Sequence, residues 1–365
     1  MRAQSLSALG LVVLTAGSVQ AAEVGVPASF GPPRVIVTRQ AGTHLLREAT
    51  VTVAAGDNQL SFDFARVGAD AATARLAVLS PADGVRIVEL RQPVGEATRL
   101  VWVLQAAQAT ACRLRLSYQL KGLETSLAYT VNLRPAEQTL DLEARLVLRN
   151  ASPEPLSHAE VVLPSGQRVA ADLTTGETVL QRLFVCQKLP YESSYLYDNS
   201  RFGGAVHAIV RLARDGAGEF DAQRLPAGSV KVYAPAPGGL TSFVGEVALP
   251  YRPPHEPVEL DLGSVQEVTV SRTRVRADQL NVKSDVYRRT VLFDLDEQFD
   301  LAIASQRPGP VTLKVQEHVA GAWTMLKQTH PSDKLEAGTV QFTLRLNPGE
   351  AVALSYTVRR LNVEP

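Results

Sequence analysis

Hydrophobic and polar residues alternate along most of this chain with a period of two, which predicts strands buried on one face. Leu60, Phe62 and Phe64 interleave with Ser61 and Asp63, and Leu100, Trp102 and Leu104 follow the same rhythm. The longest run sets Leu140, Leu142, Ala144, Leu146 and Leu148 against Asp141, Glu143, Arg145 and Arg149. Val230 and Val232 alternate with Ser229 and Lys231. After the proline-broken corner Tyr251-Arg252-Pro253-Pro254, Val258, Leu260 and Leu262 alternate with Glu259 and Asp261. A last hairpin pairs Val340, Phe342, Leu344 and Leu346 with Val352, Leu354, Tyr356 and Val358 through the turn Asn347-Pro348-Gly349.

Between these runs stand turn signals such as Gly56-Asp57-Asn58, Asn150-Ala151-Ser152-Pro153 and Arg307-Pro308-Gly309-Pro310. Beyond the N-terminus no window of a dozen residues carries a 3.6-residue period. One-faced strands must bury that face against a second sheet. The expected fold class is therefore all-β, with two or three β-sandwich (immunoglobulin/fibronectin-like) domains. The expected division is an N-terminal β domain over 23–120, a middle β region with irregular loops over 121–224, and a C-terminal β-sandwich over 225–365.

The first residues add a compartment. Arg2, the apolar run Leu6 to Thr15 and the small residues from Ala16 to Ala22 predict a signal peptide over 1–22, cut near Ala21 or Ala22. The run is too short to cross a bilayer, which takes about 20 apolar residues, and no later segment is a transmembrane candidate. With no cysteine near the cut, a lipid anchor is not expected. The chain is expected to be periplasmic or secreted. Lys plus Arg and Asp plus Glu number 37 each, giving zero formal net charge, which argues against nucleic acid as a partner. A hydrophobic content of 45% excludes disorder. Two cysteines, Cys112 and Cys186, could pair in an oxidising space, but Cys112 is in phase with Leu114, Leu116 and Tyr118 on an apolar strand face. The expectation is two free thiols, with a disulfide left open.

Several stretches carry a family resemblance. Leu225-Pro226-Ala227-Gly228-Ser229-Val230-Lys231-Val232-Tyr233, Phe243-Val244-Gly245-Glu246 and Tyr251-Arg252-Pro253-Pro254 follow one another as strand, turn, strand and corner. Tyr118-Gln119-Leu120-Lys121-Gly122-Leu123 and Leu354-Ser355-Tyr356-Thr357-Val358 flank them in order. This succession, from about Arg115 to the end, resembles the C-terminal domain of the mucoidy-inhibitor-like family of bacterial envelope proteins. A weaker match covers Arg34 to Phe64. The chain departs from that family in lacking its coiled-coil insertion and the tryptophan usual between Gly122-Leu123 and Tyr129. The resemblance implies an envelope protein and assigns no activity, because the matched positions are turn glycines and core residues.

Motifs for chemistry are missing from the sequence. There is no His-Glu-x-x-His, Cys-x-x-Cys, Gly-x-Ser-x-Gly, Ser-x-x-Lys or phosphate-binding Gly-Lys-Ser/Thr loop, and the six histidines stand singly. Asp294, Asp296, Glu297 and Asp300 interleave with Phe293, Leu295 and Phe299, as a solvated strand face does; a calcium site is the alternative. Arg272, Arg274 and Arg276 make a basic face that cross-strand pairing could absorb; an anion-binding patch is the alternative. No cofactor and no metal are expected.

One segment has the composition of a contact surface. Tyr191, Tyr195, Tyr197, Arg201 and Phe202 fall within a stretch rich in Ser, Asn and Gly, where rigid rings and a fork-shaped cation could hold a partner. Tyr195 and Tyr197 are also in strand phase, so a partly buried strand stays open as an alternative. The expected function is a non-enzymatic envelope or surface interaction module whose partner is an envelope protein or polysaccharide. The alternatives are a polysaccharide- or peptide-directed hydrolase without a sequence motif, and an assembly or secretion accessory that works by sheet-edge strand addition.

Overall fold

The computed structural model describes residues 11–15, 23–26, 31–37, 43–81, 83–164 and 166–365. It is all-β, at 70% strand and 5% helix. The two α-helices, Asn199–Phe202 and Glu219–Ala222, are single turns. Alternation becomes burial where the sequence shows it: in Thr139–Asn150 every second residue is buried, from Leu140 through Asn150. The expected cleavage positions at Ala21 and Ala22 lie outside the described residues. Within the expected signal segment, Leu11–Thr15 is a strand between Glu23–Val26 and Gly56–Asp63.

The chain divides into two compact units, one of residues 1–129 and 143–185, the other of 130–142 and 186–365. Residues of the expected middle region 121–224 fall in both units. Its two long strands, Leu123–Arg134 and Thr139–Asn150, contribute residues to both units.

In the first unit a six-stranded sheet runs in the order Arg168–Leu173, Leu156–Val162, Arg34–Val37, Thr43–Val53, Thr110–Leu120, Ala69–Ser80. A five-stranded sheet carries Gly56–Asp63 and Arg99–Ala106 at its centre. Their apolar faces meet. Phe62 and Phe64 lie 6.1 and 5.5 Å from Tyr118, ring to ring, and Phe64 meets Trp102 edge-on.

In the second unit a six-stranded sheet is ordered Val258–Val265, Val206–Leu212, Glu192–Asp198, Val311–His318, Thr339–Leu346, Ser332–Glu336. A four-stranded sheet is ordered Val268–Ser284, Thr290–Ser305, Ala351–Val363, Ala322–Gln328. Leu313, Val315, Phe342 and Leu344 from the first join Leu301, Ile303, Leu354 and Tyr356 from the second in one core.

Each core also buries a carboxylate. In the first unit Glu154, 3% exposed, accepts from the Tyr118 hydroxyl at 3.0 Å and is paired with Arg47. In the second, Glu317, also 3% exposed, accepts from the Tyr356 hydroxyl at 2.6 Å and from Arg272 Nε at 2.9 Å. Arg272 lies over the Phe299 ring, 3.8 Å from its centre. Burial pushes both glutamates above the usual carboxylate range, against the pull of the tyrosine and arginine. A buried cation holds the proline corner: Arg214, 1% exposed, donates to the carbonyls of Phe220, Asp221, Gln223, Pro253 and Glu256.

Cys112 and Cys186 are both free, Cys112 fully buried. Thiol titration of denatured, unreduced protein is expected to find two groups; none would show a disulfide. Tyr356→Phe leaves one acceptor position of buried Glu317 unfilled and is expected to cost about 1–3 kcal/mol in urea unfolding. An unchanged midpoint would show that the hydroxyl contributes nothing.

Candidate functional site

The 191–204 segment is a strand, a capped turn and the start of a return strand. Tyr195 and Tyr197 share the phase that faces the core, so Glu192–Asp198 is extended. It pairs in parallel with Val311–His318, setting Tyr195 beside Leu313 and Tyr197 beside Val315. Asp198 ends the strand and caps Asn199–Phe202, its Oδ1 accepting from the Ser200 and Arg201 amides at 3.0 Å each. Gly203, at φ 61°, closes the turn in the left-handed region that glycine enters without penalty. The other Asp198 oxygen contacts His318 Nε2 at 3.0 Å. Burial opposes ionisation of Asp198, but His318, the Ser200 hydroxyl and the Arg201 amide outweigh it and hold the carboxyl below its usual range.

The five residues expected to form one contact surface do not lie together. Tyr197, 1% exposed, belongs to the core, which corrects its expected role as a contact. Arg201 and Phe202 enter a separate cluster. Phe202 stacks on His207 at 3.7 Å between ring centres, and Arg201 covers the Phe202 ring at 4.6 Å. Asp261 ties both down, through His207 Nδ1 at 2.8 Å and Arg201 Nη2 at 3.7 Å. Arg201 is therefore an engaged cation rather than an open one. Tyr191 is half-buried, and its amide donates to the Gln138 carbonyl at 3.2 Å.

Tyr195 opens onto a cavity. It packs against the rim of the core and lines a groove of about 500 Å³ with Gln138, Ser193, Thr312, Arg345 and the Arg307-Pro308-Gly309-Pro310-Val311 turn. All of these belong to the second unit. The groove lies where Glu192–Asp198 and Val311–His318 begin and Thr339–Leu346 ends, with Thr312 directly opposite Arg345. Arg307 donates to Glu267 at 3.2 Å. Arg345 is exposed and has no carboxylate partner among the described residues. The Tyr195 phenol is protonated at neutral pH and able to donate, and burial moves its pKa further up. The lining thus offers two guanidinium groups, three hydroxyls and an amide.

Sequence reasoning missed Gln138, Ser193, Arg307, Thr312 and Arg345. Arg307 stood in a segment read only as a turn, and Arg345 on the solvated face of a strand. The acidic cluster is taken up by local partners: Asp296 by Arg359 at 2.6 Å, Glu297 by Arg274 at 3.1 Å, Asp294 by Asn281 and Asp300 by Ser355. Arg272 reaches Glu317 and Arg276 reaches Asp278, so the basic row is neutralised residue by residue.

These placements separate the tyrosines by effect. Tyr197→Ala removes a core ring and is expected to cost about 3–5 kcal/mol. Arg201→Ala loses one exposed ion pair and is expected to stay within about 1 kcal/mol of wild type. Equal effects in chemical denaturation would contradict the assignment of Tyr197 to the core.

No protein-family model and no curated protein matches this chain.

Proposed function

We propose that this protein is an exported, non-enzymatic interaction module of the bacterial envelope, and that the groove around Tyr195 is its ligand site. The observation that carries this is the groove lining: Arg345, a guanidinium without a carboxylate partner among the described residues, set beside Arg307 and neutral hydrogen-bonding groups in a concave site. A free, fork-shaped cation of this kind is matched by a carboxylate, which it can hold through two parallel hydrogen bonds. Tyr195, Ser193, Thr312 and Gln138 suit hydroxyls. Val311 is the one aliphatic side chain in the lining besides the two prolines, too little for a peptide's apolar side chains. The ligand read from this chemistry is a segment of acidic polysaccharide.

Export is supported by the residue pattern over 1–22, and the envelope setting by the strand-and-turn resemblance to the mucoidy-inhibitor-like family. The paired sheets of each unit fit a β-sandwich of the immunoglobulin/fibronectin kind. Binding is favoured over hydrolysis because the lining holds no carboxylate to serve as acid or base.

Isothermal titration of the full chain with oligogalacturonate, with its carboxyl-reduced neutral counterpart and with a short peptide bearing a free C-terminal carboxylate tests the reading. Binding of the acidic sugar alone is expected. Arg345→Ala should weaken it about tenfold or more, since a hydrogen bond to a charged group contributes about 1.5–3 kcal/mol. Binding of the peptide alone would replace the polysaccharide with a protein partner, and binding of none of the three would remove the groove as a site.

A further inference from the structure

The strands Val268–Ser284 and Thr290–Ser305 are the longest in the protein's second unit, and they outrun their sheet. Ala351–Val363 accompanies Thr290–Ser305 from Ala304 only as far as Phe293. Beyond Phe293 the two hairpin strands continue with each other alone, through Lys283 opposite Leu292 and Ser284 opposite Thr290. The apex is held by Asp285, whose carboxylate accepts from the amides of Tyr287 and Arg289 and from Arg289 Nε.

The residues at this apex are not those a solvent-facing turn calls for. Tight hairpin turns favour Gly, Asn and Asp, yet Val286 and Tyr287 stand there at 91% and 77% exposure. Arg288 adopts φ 63°, a conformation that disfavours a long side chain. Val282 and Val291 add apolar surface just behind the tip. Around them Lys283, Arg288 and Arg289 outnumber Asp285, and the Arg289 guanidinium lies 5.3 Å from the Tyr287 ring.

We propose that this hairpin apex is a membrane-docking tip that dips Val286 and Tyr287 into the headgroup zone of an anionic phospholipid bilayer. A finger two strands wide offers a rigid protein partner little complementary area, whereas a fluid interface closes around it. Tyrosine is at home at that depth, with its ring in the apolar layer and its hydroxyl in water. Lys283 and Arg288 meet the lipid phosphates, each contributing about 1 kcal/mol near such a surface, while Arg289 is paired with Asp285 and holds the turn. Only the turn needs to enter, so the backbone stays hydrogen-bonded within the hairpin or to headgroup water. The tip is independent of the groove.

Co-sedimentation of the full chain with vesicles of phosphatidylglycerol and phosphatidylcholine, against phosphatidylcholine alone, tests the tip. Wild type should partition onto the anionic vesicles and weaken as salt rises. Val286→Ser combined with Tyr287→Ser should abolish most of that binding. Lys283→Ser and Arg288→Ser should each weaken it about fivefold, while Arg345→Ala leaves it intact. A Tyr287→Trp chain should shift its emission to the blue on adding anionic vesicles, and this readout decides if the double variant does not fold. Equal partitioning of wild type and tip variants without a blue shift would overturn the proposal. So would concentration-dependent self-association abolished by the same substitutions, which would make the apex a contact with a second copy of the chain.

Discussion

A carboxylate taken out of water must be given partners, and each unit meets that requirement with a tyrosine and an arginine. In the second unit the three groups come from different strands: Arg272 from Val268–Ser284, Glu317 from Val311–His318 and Tyr356 from Ala351–Val363. Two of these strands lie in the four-stranded sheet and one in the six-stranded sheet, so the triad joins the layers of the core. A one-residue slip of any of the three would turn its member to the opposite face and strand the others without water. Apolar packing accepts many arrangements; a buried charge with directional partners accepts few. In the first unit Arg47, Tyr118 and Glu154 repeat the device, with the carboxylate supplied by the turn after Thr139–Asn150 rather than by a strand.

This bears on what could be read from the residues. Strand periodicity was legible because a half-buried sheet imposes it, and Thr139–Asn150 and Thr339–Leu346 bury the residues their alternation marks. Glu317 was legible too, in principle. It sits in phase with Val311, Leu313 and Val315, and a charge at a core position announces a partner. Glu154 carries no such mark, since its turn has no period. The division into units was hidden because Leu123–Arg134 and Thr139–Asn150 run unbroken across it, with no change of composition where the chain passes from one unit to the other.

The candidate site shows the same limit more sharply. Tyr195 and Tyr197 have identical local patterns and the same face. What separates them is position along the strand, with Tyr197 beside Val315 in the core and Tyr195 at the sheet's end beside a turn. No local pattern encodes where a neighbouring strand begins. Apart from Ser193, the groove's other residues come from three distant segments, and nothing local in any of them points to the others. Zero net charge hid the candidate site further, because a guanidinium without a carboxylate partner among the described residues disappears into a balanced total.

The parallel pairing of Glu192–Asp198 with Val311–His318 carries a consequence in time. Parallel neighbours so far apart in the chain cannot meet until everything between them has been made, and closing so long a loop is slow. The groove needs still more, because Arg345 lies on the strand beyond. A growing chain that has not reached Arg345 can form the local hairpins yet lacks part of the groove's lining. The recognition proposed for this groove therefore requires Gln138, Tyr195, Arg307 and Arg345 to have been brought together.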